Sequence, residues 1–146
     1  MKLLFAIVAA FTVGVLVTAA AGVPMRVHYI PQDKVSATMV KGGQIISDNG
    51  LVVLANRAMA RGSEIHAKTN HIFIIVDGEG TFVTGGKLIN SRATAPDQIR
   101  GDGIEGGETH HLRKGDVITV PANTPHWWKD TSTTGSVGYY AVNIEQ

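Results

Sequence analysis

No cysteine occurs among the 146 residues, so no disulfide can staple this chain, and its stability must come from packing, aided by a metal or by self-association. Charge of either sign is not in excess. Without Lys2 the remaining residues hold twelve basic and twelve acidic side chains, so no overall field draws the protein to nucleic acid or anionic lipid. A small molecule or another protein is the expected partner. There is no Asn-x-Ser/Thr acceptor for N-glycosylation, which suits a bacterial periplasmic protein. Nothing in the chain offers an activated nucleophile, a phosphate loop or a dinucleotide fingerprint. A literal G-x-G-x-x-G runs from Gly101 to Gly106, but no strand is expected before it and no helix after it. Asp102 and Glu105 within it would also repel a pyrophosphate.

One long uncharged run is present, at the start. Met1-Lys2 precedes an apolar stretch from Leu3 to Val17, and Thr18-Ala19-Ala20-Ala21-Gly22 supplies small residues of the A-x-A kind. This reads as a secretory signal peptide over residues 1–21, cut near Ala21. An uncleaved anchor is the alternative, because Leu3 to Val23 carries no charge and could cross roughly 30 Å of hydrocarbon. With cleavage the mature chain, 22–146, has the size of one domain. It is expected in the periplasm or outside the cell, with no membrane attachment.

The mature chain is patterned as strands and turns. Val27 to Ile30 stops at Pro31, Gln44 to Ile46 leads through Asp48-Asn49-Gly50 into Leu51 to Leu54, and Asn49-Gly50 is a strong hairpin signal. His71 to Val76 is rich in β-branched residues and ends at Asp77-Gly78-Glu79-Gly80. Thr81 to Thr84 ends at Gly85-Gly86, Asp116 to Val120 ends at Pro121, and Val137 to Ile144 is the last run. A helix is expected only within Gln32 to Val40. Short strands at this spacing, with seventeen glycines, predict an antiparallel sandwich or small barrel. Residues 87–114 form a polar, glycine-rich insertion, expected as a long loop and either a lid or a plain surface excursion.

The chemistry concentrates in Glu64-x-His66-x4-His71 and in Gly115 to His126. Residues i and i+2 of a strand share a face, so Glu64 and His66 look the same way, and His71 can join them from the next strand. Three imidazoles and a carboxylate suit iron, manganese, zinc, copper or nickel better than calcium or magnesium. Four protein ligands would leave a position open for water, oxygen or substrate. If Glu64 swings free, it can act as a general base beside bound water. A single buried histidine is more often a hydrogen-bonded core residue, and only the convergence of three with an acid favours a metal. His28, His110 and His111 lack that context, since adjacent residues such as the last two diverge on an extended chain.

By the same parity His71 brings Phe73 and Ile75 inward, and His126 brings Trp128 inward while Trp127 faces out. Phe73, Ile75 and Trp128 are therefore expected to line a substrate pocket, with Trp128 either stacking on a ligand or closing the core. Arg100, in the insertion, could fold over and bind a carboxylate.

Gly62-Ser63-Glu64-Ile65-His66, His71 to Phe82 with its Asp77-Gly78-Glu79-Gly80 turn, and Gly115-Asp116-x4-Pro121-x3-Pro125-His126 resemble the two motifs of the cupin superfamily. Motif 1 spans 62–82, the variable inter-motif region 87–114 and motif 2 115–130. The family pattern G-x5-H-x-H-x3-4-E-x6-G places His71 where its glutamate usually stands, His66 on the second histidine and Glu64 on the first. In motif 2, Asn123 replaces the usual glycine and Asp130 the usual asparagine, while His126 keeps its place.

The resemblance implies an all-β, single-domain jelly-roll barrel with one divalent transition metal held by Glu64, His66, His71 and His126. It further implies a small-molecule enzyme, dioxygenase-like or a lyase/isomerase, or else a non-catalytic binding or sensing module. A storage role is less in keeping with one domain. Because cupins commonly pair through outer sheet faces, and Ile65, Ile72 and Ile74 are expected to face outward, a homodimer is expected.

Overall fold

Runs of β-branched residues cut by glycine and asparagine leave the chain little choice but to fold back on itself as antiparallel strands. A computed structural model describes residues 25–131 and 135–146, so the expected leader at 1–21 lies outside the described residues. Among them no helix is long and apolar enough to cross a membrane. The order is α1 (Gln32–Lys41), β1 (Gly43–Asp48), β2 (Leu51–Ala58), β3 (Ser63–His66), β4 (Thr69–Asp77), β5 (Glu79–Thr84) and β6 (Lys87–Ile89). It continues with β7 (Arg92–Ala95), β8 (Gln98–Gly101), β9 (Gly103–Glu105), β10 (Glu108–Arg113), β11 (Val117–Val120), β12 (His126–Thr131) and β13 (Val137–Glu145).

Five strands form one sheet in the order β1-β2-β13-β4-β11, six form a second in the order β10-β5-β12-β3-β8-β7, and β6-β9 make a short ribbon. Every pairing is antiparallel. This is the jelly-roll type of barrel expected from the sequence. The hairpin between β1 and β2 turns on Asn49 and Gly50, both at positive φ (46° and 81°), as a tight two-residue turn requires.

Between the sheets lies a core of Phe73, Ile75, Phe82, Leu112, Val120, Trp128, Val137, Tyr139 and Ala141. A second, smaller cluster joins Val83, Leu88 and Ile104, with Ile65 and Trp127 packed against it. Trp127 therefore sits on the opposite face from Trp128 but is not simply turned to solvent. Gly103 makes room for it, since a Cβ there would meet the indole at 3.3 Å. Ile65 is likewise half-buried against this cluster rather than outward and free.

Three expectations are corrected. Val27 to Ile30 is extended but forms no strand. Val27 and Tyr29 are 99% and 85% exposed, so the apolar residues have no sheet to face. The segment is instead tied to β1 through Asp48, which accepts from the Arg26 N–H at 2.7 Å and contacts His28 Nε2 at 2.9 Å.

The stretch 87–114 is not a long loop. It is built into β6 to β10, with β8 paired to β3 and β10 to β5. Its strands are short, and β7 and β10 are largely exposed, which removes the alternation that marks a strand in a sequence. A strand, β8, thus does precede Gly101 to Gly106. What keeps that run from being a nucleotide loop is the strand β9 that follows in place of a helix.

Candidate metal centre

Strand parity and register bring the imidazoles together. β3 presents Glu64 and His66 on one face, and β12 lies beside it with His126 directly opposite Glu64. β4, in the other sheet, turns His71, Phe73 and Ile75 into the space between. The nitrogens of His66, His71 and His126 come within 4.8 Å of one another. Their ring centroids are 4.8 Å (His66 to His71), 5.6 Å (His66 to His126) and 5.2 Å (His71 to His126) apart.

The second nitrogen of two rings is already committed. His71 Nδ1 donates to Asn143 Oδ1 at 2.8 Å, and His126 Nδ1 donates to the Thr124 carbonyl at 3.0 Å. Each bond fixes the neutral tautomer in which Nε2 carries a lone pair. His71 and His126 are only 5% and 3% exposed, and both Nε2 atoms are buried without a hydrogen-bond partner. Burying an acceptor unsatisfied is costly, so an electrophile shared by these atoms is what the arrangement calls for. Burial pushes the His71 pKa down to about 4, reinforced by His126 and His66 and only partly offset by Asn143 and Glu64. The ring thus stays a neutral donor.

Glu64 stands beside the triad rather than wholly within it. One carboxylate oxygen, Oε1, is 3.6 Å from His126 Nε2 and 3.9 Å from His66 Nε2. The other, Oε2, pairs with Arg100 Nη2 at 3.1 Å. Burial alone would raise the Glu64 pKa. When His126 and His66 are protonated, their hydrogen bonds and positive charge outweigh it and hold the carboxyl well below the usual carboxylate range.

Around the histidines lies a cavity of about 180 Å³. Phe73 and Trp128 line it, as the parity of their strands predicts, while Ile75 does not and is instead a core residue at 1% exposure. Trp128 also closes the core against Phe82, at 4.7 Å between centroids. Arg100 lines the cavity too, but from β8, where it lies opposite Glu64 in the ladder; no folding-over is needed. Arg61, Asn56, Tyr139 and Asn143 also line it, and the sequence did not point to them. For Tyr139 and Asn143 the available signal was alternation along β13 with Ala141 between them.

The remaining histidines do other things. His110 Nε2 contacts Thr84 Oγ1 at 2.8 Å, and His111 lies 3.4 Å from Glu79. Among the described residues they join no second metal cluster.

Two facing antiparallel sheets with a histidine-lined cavity between them define a small β-barrel of the jelly-roll class. The family model described as Cupin matches residues 48–146, and the chain belongs to the cupin family. No curated protein matches it. Among solved structures it is similar to the iron(II) form of HppE (20% identity over 70% of this chain and 50% of that one, TM-score 0.52). It is also similar to hydroxypropylphosphonic acid epoxidase from S. wedmorenis (20%, 69% and 48%, TM-score 0.51). A Bacillus halodurans protein aligns over 81% of each chain at 13% identity and a TM-score of 0.57. The chain spans about half the length of the epoxidase structures, and at these identities the likeness is one of fold.

Proposed function

We propose that this protein is a metal-dependent cupin enzyme in which His66, His71 and His126 hold one divalent transition metal and a small molecule binds beside it. The observation that carries the reading is the pair of buried, unpartnered Nε2 atoms on His71 and His126, each with its Nδ1 proton already committed. His66 supplies the third nitrogen from the neighbouring strand. Imidazole donors suit iron, zinc, copper and nickel, and manganese follows where a carboxylate joins them. Iron(II) and cobalt(II), named for two of the similar structures, are the natural first probes. A bound metal of this kind would polarise a substrate oxygen or activate dioxygen, which supports dioxygenase-like or lyase/isomerase chemistry.

The chain's own groups divide the remaining work. Asn143 and the Thr124 carbonyl orient two rings, as outer partners of metal-binding histidines commonly do. Glu64, ionised and with Oε1 facing the triad, either completes the ligand set or receives a proton from the substrate. Phe73 and Trp128 give the cavity apolar walls that limit water. Its volume of about 180 Å³ is below the roughly 300 Å³ at which drug-sized pockets begin, so the substrate is small.

We place the mature protein in the periplasm or outside the cell, as a homodimer. The dimer reading is supported by the outer face of the five-stranded sheet. There Ile72 and Ile74 sit beside Val142 and Tyr140 in the β4–β13 ladder, and Val117 pairs with Ile74 from β11.

Metal analysis by inductively coupled plasma mass spectrometry tests the central reading. Protein purified without chelator, or reconstituted, should carry about one equivalent of metal, and a His66→Ala/His126→Ala variant with unchanged far-UV circular dichroism should carry none. Oxygen consumption with candidate substrates then separates the oxygenase from the lyase/isomerase. Ligand binding without any product would instead favour a non-catalytic binding module. Absence of metal from the wild-type protein after reconstitution would overturn the reading.

A further inference from the structure

The charges around the cavity are unequal. Glu64, Arg61 and Arg100 all line it, and Glu64 Oε2 is taken by Arg100 at 3.1 Å. Arg100 therefore has its anion inside the protein and acts as a positioning residue for Glu64. Arg61 has no such partner: among the described residues no carboxylate lies within ion-pair range of it.

Its backbone is nonetheless fixed. The Arg61 N–H donates to the Trp128 carbonyl at 3.3 Å, and the Arg61 carbonyl accepts from Trp127 Nε1–H. Two adjacent residues of β12 thus hold Arg61 at the cavity rim. Arg61, Tyr139 and Asn56 line the same cavity, and the Tyr139 phenol feels both the Arg61 charge and the Asn56 side chain. Tyr139 is 4% exposed, and burial raises its pKa, so the phenol remains neutral and does not cancel the arginine's charge. The lining is left with one more positive than negative group before any metal is added.

We propose that the small molecule bound in this cavity carries a carboxylate, received by Arg61 on the Tyr139 and Asn56 side while the rest of the molecule points toward the histidines. The inference rests on the cavity being the ligand site of the function proposed above, and it names the substrate class for that site. Arginine presents two parallel N–H groups to a carboxylate, which fixes orientation as well as charge. Tyr139 and Asn56 offer neutral donors to the same oxygens.

Isothermal titration calorimetry decides the matter with acetate, oxalate, malonate and succinate as probes and malonamide as the uncharged counterpart of malonate. Each is titrated into the metal-free and the cobalt(II)-loaded protein. At least one carboxylate should bind the wild type in one of these forms, and malonamide should not. Arg61→Gln should weaken that binding by about tenfold or more, Arg61→Lys should restore only part of it, and Arg113→Gln, outside the cavity, should leave it unchanged. Metal content and far-UV circular dichroism should be the same in Arg61→Gln as in the wild type.

Failure of every carboxylate to bind either form, equal binding of malonamide, or unaltered affinity in Arg61→Gln would overturn the proposal. If metal loads normally while Arg61→Gln is silent, only the carboxylate inference falls. If no metal loads, the metal reading falls and the metal-free titration still judges Arg61.

Discussion

Three imidazoles and one carboxylate share a few ångströms, and for two of them, His71 and Glu64, the surroundings lower the proton affinity, through burial in the first case and through the neighbouring imidazoles in the second. His71 has the ordinary value of 6.5 in an unfolded chain and about 4 in the folded protein. Between these limits the unfolded state binds a proton that the folded state refuses, so stability falls as pH drops from about 6.5 to 4. The loss reaches at most about 3 kcal/mol, less where solvent screens the ring. Glu64 has a depressed pKa, and its stabilising effect begins to be lost only below the ordinary 4.5. Urea unfolding of metal-free protein at about pH 7 and about pH 4.5 should therefore show a drop of about 2 kcal/mol that is largely absent in His71→Gln. An equal drop in both proteins would assign it elsewhere. At this scale the sequence was informative where one strand's parity sufficed: Glu64 with His66, His71 with Phe73, His126 with Trp128. Arg61 and Asn143 escaped because their roles depend on which strands become neighbours. Asn143 meets His71 only through the register of β13 on β4, and no local pattern specifies that register.

The elements most easily read were those buried on one face. β4 alternates buried and half-buried residues along His71 to Val76, and β1–β2 announces its own turn. The elements missed were those whose strand character comes from a neighbour. β8 is held by its ladder to β3, and the junction to β9 is fixed by Ser63, whose hydroxyl is fully buried and donates to the Gly103 carbonyl at 2.8 Å. Gly101 is needed there because a Cβ would come within 2.7 Å of the Ile89 carbonyl and 2.9 Å of Ser63 Oγ. Ser63→Ala should leave the Gly103 carbonyl unpaired and cost about 1–3 kcal/mol, measurable by urea unfolding. A change within about 0.5 kcal/mol, the range of a neutral surface substitution, would mean that the junction does not depend on this bond. Ser63 was quoted in the motif for its place beside Glu64, yet nothing local signals a partner forty residues away.

For the molecule as a whole, the antiparallel barrel was legible because strand length, glycine turns and the two motifs agree with one another. The proposed association was not, since parity identifies an outward residue without saying what covers it. Light scattering coupled to size-exclusion chromatography should give a mass twice that of one chain, and Ile74→Asp should reduce it to one. A single-chain mass for the wild type would remove the dimer. A different consequence follows from where the triad hangs. His66 and His126 belong to the six-stranded sheet and His71 to the five-stranded one, so any atom the three nitrogens share fastens two leaves at a place where no backbone ladder joins them. It is a rivet at one end of a hinged case. Its loss would weaken the join at the cavity before any backbone ladder is touched, since no ladder links β4 to β3 or β12.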